Sequence, residues 1–194
     1  MTYLTRRTLL LGATALLVGC ASDPAPRAHL PRVTFAHRPP INFNVAKIDV
    51  VNSFRSTGQA PHIEHQVPIS PAAVARQWAQ DRLVAKGNVG LLRYEIMDAN
   101  IRAVPLKVDK SLGNALKALA DTRYEGRIEV RLRVNAPGGT GDAVAVVTRT
   151  RTALENLTLN ERDELLIQFV EELGRDLDRR LEAEISQHLS GFLI

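Results

Sequence analysis

The chain has 194 residues, 45% of them hydrophobic, which is enough for one compact domain with a real core and an attached segment. Its formal charge of +4 is mild, and falls to +2 without Arg6 and Arg7, so the charge balance gives no argument for nucleic acid as a partner. Aromatics make up only 5% and Cys20 is the single cysteine; the core must be mostly aliphatic, and an intramolecular disulfide is excluded.

Arg6 and Arg7 open the chain as a basic stretch, Leu9 to Val18 follows as an apolar run, and Gly19 and Cys20 close it. This is the layout of a secretory signal peptide. The run is about half the roughly 20 apolar residues that a spanning helix needs. Leu17-Val18-Gly19-Cys20 resembles a bacterial lipobox. That resemblance implies cleavage between Gly19 and Cys20, diacylglyceryl transfer to the Cys20 sulfur and acylation of the new amino terminus, so that Cys20 anchors the protein in a lipid bilayer. An ordinary cleaved signal with an incidental cysteine is the alternative. Thr5 to Leu10 also resembles a twin-arginine export signal in its arginine pair and following leucine, but lacks the usual Phe and Lys.

Residues 20–40 read as a tether behind the lipidated cysteine. Pro24, Pro26, Pro31, Pro39 and Pro40 fall here, and each fixes φ and removes a backbone donor. At ~3.1 Å per residue such a segment would reach about 60 Å. Val33 to Ala36 hints at a short edge strand. A single domain is expected over 41–194.

Ile41 to Asn52 alternates as a strand, with a phase shift that suggests a bulge near Val45. A polar loop, about residues 53–68, follows. Ser70-Pro71 supplies a helix N-cap and first position. The apolar stripe is Val74, Ala75, Trp78, Ala79 and Leu83, and Gly87 is placed to cap the end. Val89 to Val104 reads as a strand, irregular near Asp98-Ala99-Asn100. Residues 107–121 are ambiguous, with Leu112, Leu116 and Leu119 hinting at a short helix.

Arg123 to Val134 alternates most clearly. Tyr124, Gly126, Ile128, Val130, Leu132 and Val134 share one face, and charged residues take the other, which calls for antiparallel pairing with one wet face. Asn135 to Gly139 reads as a turn and Asp142 to Leu154 as the returning strand. Thr158 and Glu161 form a capping box ahead of a helix from about Leu159 to Ser190. Gly174 inside it predicts a close contact or a kink. The order β-α-β-β-β-α gives an α+β domain: a mainly antiparallel four-stranded sheet with two helices on one face.

Few residues suggest chemistry. His62 and His65, flanking Glu64, form an H-x-x-H, but in a loop with no helix to fix metal-ligand geometry; a solvated polar loop is expected and no metal site is assigned. No serine lies in a nucleophile elbow, and Gly138 to Gly141 lacks the lysine and helix of a phosphate-binding loop. Glu171, Glu172, Asp176 and Asp178 read as the solvated face of the last helix. No cofactor and no enzymatic activity are expected. If Glu125 pairs with Arg151 and Arg127 with Arg149, then Arg123, Arg127, Arg131, Arg133, Arg149 and Arg151 share one surface. Such a surface could dock an acidic protein or lipid phosphates through bidentate hydrogen bonds.

The lipobox, the tether and the pattern Val74-Ala75-Arg76-Gln77-Trp78-Ala79 with Leu83, followed by strands and a long terminal helix, resemble small auxiliary lipoproteins of Gram-negative envelopes. These are the ABC-transport auxiliary lipoproteins and the lipopolysaccharide-assembly lipoproteins. The resemblance implies a periplasm-facing accessory in envelope assembly or lipid transport, with a protein or lipid partner. Ala21, rather than aspartate, after the cysteine favours the outer membrane under enterobacterial sorting rules. A structural lipoprotein binding peptidoglycan or another periplasmic protein is the alternative.

Overall fold

The computed structural model describes residues 33–106, 120–154 and 157–194. The signal, Cys20 and residues 107–119 of the ambiguous segment 107–121 lie outside them, and that segment's last two residues, Ala120 and Asp121, are strand rather than helix. The elements are β1 (Ile41–Phe43), β2 (Lys47–Asn52), α1 (Pro71–Arg82), β3 (Leu83–Ala85), β4 (Leu91–Pro105), β5 (Ala120–Ala136), β6 (Gly139–Leu154) and α2 (Leu159–His188). The main sheet runs β2-β4-β5-β6, with β2 parallel to β4 and the other pairs antiparallel. Both helices pack on one face and against each other. This is the α+β arrangement that the alternation and helical stripes predict. No helix among the described residues is long and apolar enough to cross a membrane.

The expected first strand is two strands rather than one with a bulge. β1 pairs in parallel with β3 in a small separate sheet, and the chain then steps across to β2. The step is fixed because the amides of Asn44 and Ala46 donate to the carbonyls of Phe192 and Gly90, while Phe43 and Val45 on either side are fully buried.

In α1 the Ser70 side chain accepts from the Ala73 amide, with Pro71 opening the helix, as predicted. The helix ends at Arg82, earlier than Gly87, because Leu83 turns extended and pairs with Ile41. Gly87 serves a close approach instead: a Cβ there would lie 2.5 Å from Asn44 Oδ1. The α1 stripe is buried, and Trp78 stacks on Tyr94 with ring centroids 5.8 Å apart.

Residues 33–40 do not behave as tether or as an edge strand. Phe35 is buried, Asp81 accepts from Thr34 Oγ1 and from the Phe35 amide, and Arg38 pairs with Asp178 and Glu182 of α2. The segment is strapped onto the helices because Gly174 leaves a gap that the Phe35 ring fills; a Cβ there would lie 3.4 Å from Phe35 Cζ and 2.8 Å from Val74 Cγ1. Of the two readings of Gly174, close contact is the one that holds.

The α2 capping box between Thr158 and Glu161 forms in both directions. Asp178 is not on a solvated face. It is buried, accepts from Trp78 Nε1 at 2.7 Å and lies 3.7 Å from Nη1 of Arg82, itself only 1% exposed.

The loop at 53–68 is likewise less solvated than its composition suggests. Ile63 donates its amide to Ile101, Pro61 accepts from Ala103, and Ile63 and Glu64 are buried. Glu64 accepts from Ser56 Oγ and from the Ile101 amide. Burial raises its pKa, but these hydrogen bonds outweigh that and hold it below the ordinary glutamate value. His62 Nδ1 stands 3.8 Å from Glu64 Oε2, and His65 is exposed beside Gln66.

Candidate functional site: the outer face of the sheet

The side of the main sheet away from the helices is built by strict alternation. Leu92, Tyr94 and Ile96 of β4 and Val130, Leu132 and Val134 of β5 turn inward, so Arg93, Glu95, Arg131 and Arg133 turn outward. A shift between Ile96 and Asp98 moves the phase by one residue and keeps Asp98, Asn100 and Arg102 on the same outer face.

The hairpin register differs from the one assumed from the sequence. Glu125 pairs with Thr150, Gly126 with Arg149, Arg127 with Thr148 and Tyr124 with Arg151. The offset is one residue, and in a strand that moves a side chain to the opposite face. Arg123, Arg127, Arg131 and Arg133 therefore share the outer face, whereas Arg149 and Arg151 stand on the helix side. Arg149 spans to Glu172 and Asp176 at 2.9 and 2.6 Å, and Arg151 reaches Gln168. The cause is the two-residue turn, Pro137-Gly138, which closes the ladder on Ala136 and Gly139 and so fixes the register; Gly126, the β5 residue opposite Arg149, lies under α2, where a Cβ would sit 2.9 Å from Phe169 Cε1. Glu172 and Asp176 thus clamp helix to strand rather than face solvent alone.

The outer face is threaded with ion pairs. Arg127 lies 3.1 Å from Asp98 and 2.5 Å from Glu129, Arg131 is 2.7 Å from Asp142, and Arg123 and Arg102 share Glu125 at 2.7 and 3.5 Å. Exposed pairs of this kind contribute about 0–1 kcal/mol each, so they define a pattern of charge more than they hold the fold.

At the hairpin end that pattern is uneven. Arg93 and Arg133 are direct cross-strand partners and converge on one carboxylate, Glu95, at 3.7 and 2.9 Å. Glu95 also accepts from Ser53 Oγ. That bond first, then Arg133 and Arg93 against the cost of burial, holds its pKa below the ordinary value. One negative charge serves two positive ones, and the guanidinium side chains remain 44% and 50% exposed. Beside them is a shallow depression of about 480 Å³, lined also by Leu91, Asn135, Thr140 and Asp142. Two forked donors, a hydroxyl and an amide next to open space can bind an anionic oxygen group.

Set against known proteins, the chain matches no family model and no curated protein. Among solved structures it is similar to the rare lipoprotein B of Shewanella oneidensis, with 16% identity, a TM-score of 0.40 and coverage of 73% of this chain and 95% of that one. It is also similar to a minor lipoprotein of Acinetobacter baumannii, with 13% identity, a TM-score of 0.37 and coverage of 71% and 91%.

Of the arginines singled out from the sequence, the structure brings Arg123, Arg127, Arg131 and Arg133 together. It adds Arg93, Arg102, Glu95 and Thr140, which the sequence reading did not select. The signal for Arg93 and Glu95 was present in the alternation of Leu92, Tyr94 and Ile96. Their meeting with Arg133 depends on the β4–β5 register.

Proposed function

We propose that this protein is a lipid-anchored, periplasm-facing accessory lipoprotein of a bacterial envelope, held at the membrane through acylated Cys20 after cleavage at Gly19. It works by binding rather than by catalysis. Its docking surface is the outer face of the sheet, and the anionic group of a protein or lipid partner is received at Arg93 and Arg133. The observation that carries this reading is the sharing of one carboxylate, Glu95, by two opposed and half-exposed guanidiniums beside an open depression. Like charges directly opposite on a sheet are destabilising, so the placing of Arg93 opposite Arg133 is better explained by binding than by folding. Support for the anchor comes from the apolar run and lipobox of residues 9–20. Ala21 directs the reading to the outer membrane, in envelope assembly or lipid transport, and the Arg6-Arg7 pair to twin-arginine export.

The test is site-specific photo-crosslinking in cells. A crosslinker at Thr140 should capture a discrete envelope partner or lipid, and one at Ala183, exposed on α2, should not. Capture of cell-wall material alone at Thr140 would move the structural, peptidoglycan-binding alternative ahead.

A further inference from the structure

Residues 33–40 make no backbone–backbone hydrogen bond to the rest of the described chain. The one they have is internal, from the Arg38 amide to the Phe35 carbonyl, and closes a turn. β1, which follows directly, is the opposite case. It pairs with β3 on one side, and on the other Ile194 donates its amide to Asn42 and Leu193 bridges Phe43. Pro39 and Pro40 lie between and have no amide to extend that pairing. The strap is therefore fixed at three points only. Phe35 fills the gap at Gly174, Asp81 receives Thr34 Oγ1 and the Phe35 amide, and Arg38 reaches α2. Phe35 is its one buried side chain, and Arg38 is 41% exposed.

The third point carries a cost. Two guanidiniums draw on the same two carboxylates. Glu182 gives Oε2 to Arg38 and Oε1 to Arg82. Asp178 turns Oδ2 toward Arg38, while its Oδ1, which accepts from Trp78 Nε1, lies 3.7 Å from Arg82 Nη1. Three buried nitrogens are left without a hydrogen bond: Arg38 Nε, Arg82 Nε and Arg82 Nη1. Among the described residues, no other buried side-chain nitrogen or oxygen is in this state. Unmet buried donors destabilise, and here they belong to the docked strap. With Arg38 in water its own donors are satisfied, and Asp178 and Glu182 each have an oxygen free for Arg82. Docking is favoured at Phe35 and Asp81 and opposed at Arg38.

We infer that residues 33–40 are a releasable latch, which leaves α1 and α2 by local opening while the domain stays folded. Release adds the strap to the tether. Val33 is thirteen residues beyond Cys20 and Ile41 is twenty-one beyond it. At ~3.1 Å per residue, the reach rises from about 40 Å to about 65 Å. The latch thus sets how far from the bilayer the outer face of the sheet can work. That consequence rests on the proposed anchor; the opening itself does not.

Native-state proteolysis of the full chain in detergent tests the latch. Chymotrypsin can cut between Phe35 and Ala36 only when Phe35 has left its gap, and at low protease the rate tracks the open population. Each rate is normalised to the same bond in the urea-unfolded chain, with products identified by mass. Phe35 should be cut at least about 100-fold faster than Tyr94, which is fully buried in the central strand β4. Gly126→Ala, which crowds the core far from the strap, should accelerate the cut at Tyr94 by at least about fivefold and leave the cut at Phe35 unchanged. Equal normalised rates at Phe35 and Tyr94 in the wild-type chain overturn the inference. So does a joint acceleration of both cuts in Gly126→Ala, since the strap then opens only with the whole fold. Neither readout depends on acylation of Cys20, so the latch and the anchor fail separately.

Discussion

Arg93 and Arg133 face each other across β4 and β5 and share the single carboxylate of Glu95. This arrangement separates stability from function in a way that mutation can read. Removing one guanidinium relieves a like-charge contact worth a few tenths of a kcal/mol up to about 1. Arg93→Gln should therefore leave stability unchanged or slightly raised in urea denaturation. Glu95→Gln takes away the charge that both guanidiniums use and should cost about 1–2 kcal/mol. If the two substitutions cost the same, Glu95 is not the shared counter-charge.

The buried cluster beneath the N-terminal strap predicts a much larger effect. Asp178 receives Trp78 Nε1 and lies beside both Arg82 and Arg38. Truncating it leaves Arg82, 1% exposed, with Glu182 as its remaining acidic partner. Breaking a buried pair costs about 3–5 kcal/mol, and Asp178→Ala should fall in that range. Trp78 fluorescence during denaturation measures it directly, since the indole is itself a partner. A loss below about 1 kcal/mol, typical of an exposed pair, would contradict the cluster.

Gly126 is the β5 residue over which α2 crosses. A Cβ there would stand 2.9 and 3.0 Å from the Phe169 ring and 3.1 Å from Leu173 Cδ2. Overpacking of this kind costs about 1–3 kcal/mol. Gly126→Ala should lower the melting temperature, whereas Gly138→Ala, at a position with open space, should shift it far less.

Acid should weaken the fold through a defined set of carboxylates. Glu64, Asp81 and Glu95 all have folded pKa values below their ordinary ones. For Asp81, burial raises the value, and the Phe35 amide, Gln77 and Thr34 together outweigh it. A depressed folded pKa contributes stability that is present above the unfolded pKa and lost as pH falls through the folded one. Denaturation midpoints should thus be flat above about pH 5 and begin to fall near pH 4, where these side chains titrate when unfolded. Asp81→Asn should lower stability at pH 7 and make the acid limb shallower. An acid limb equally steep in this variant would remove Asp81 from the set.

Much of the architecture was legible because two periodicities were clean. The inward set of β5 and the α1 stripe from Val74 to Leu83 needed only counting, and the caps at Ser70 and Thr158 were spelled out by residue type. What was not legible depended on contacts between distant residues. Phe35 and Arg38 sit among prolines, and only the gap at Gly174 and the carboxylates of Asp178 and Glu182 turn that segment into part of the core. The one-residue hairpin offset had the widest effect, because it moved Arg149 and Arg151 to the helix side. The charge imbalance at Arg93 and Arg133 followed from pairing β4 with β5, which strand patterns alone do not specify.

The proposed anchor at Cys20 is tested most directly by the mass of the mature amino terminus. The protein purified from membranes should begin at Cys20, with the mass of a diacylglyceryl group on sulfur and an acyl chain on nitrogen, and Cys20→Ala should retain its signal and lose processing. An unmodified Cys20, a start at another residue or normal processing of the alanine variant would contradict it.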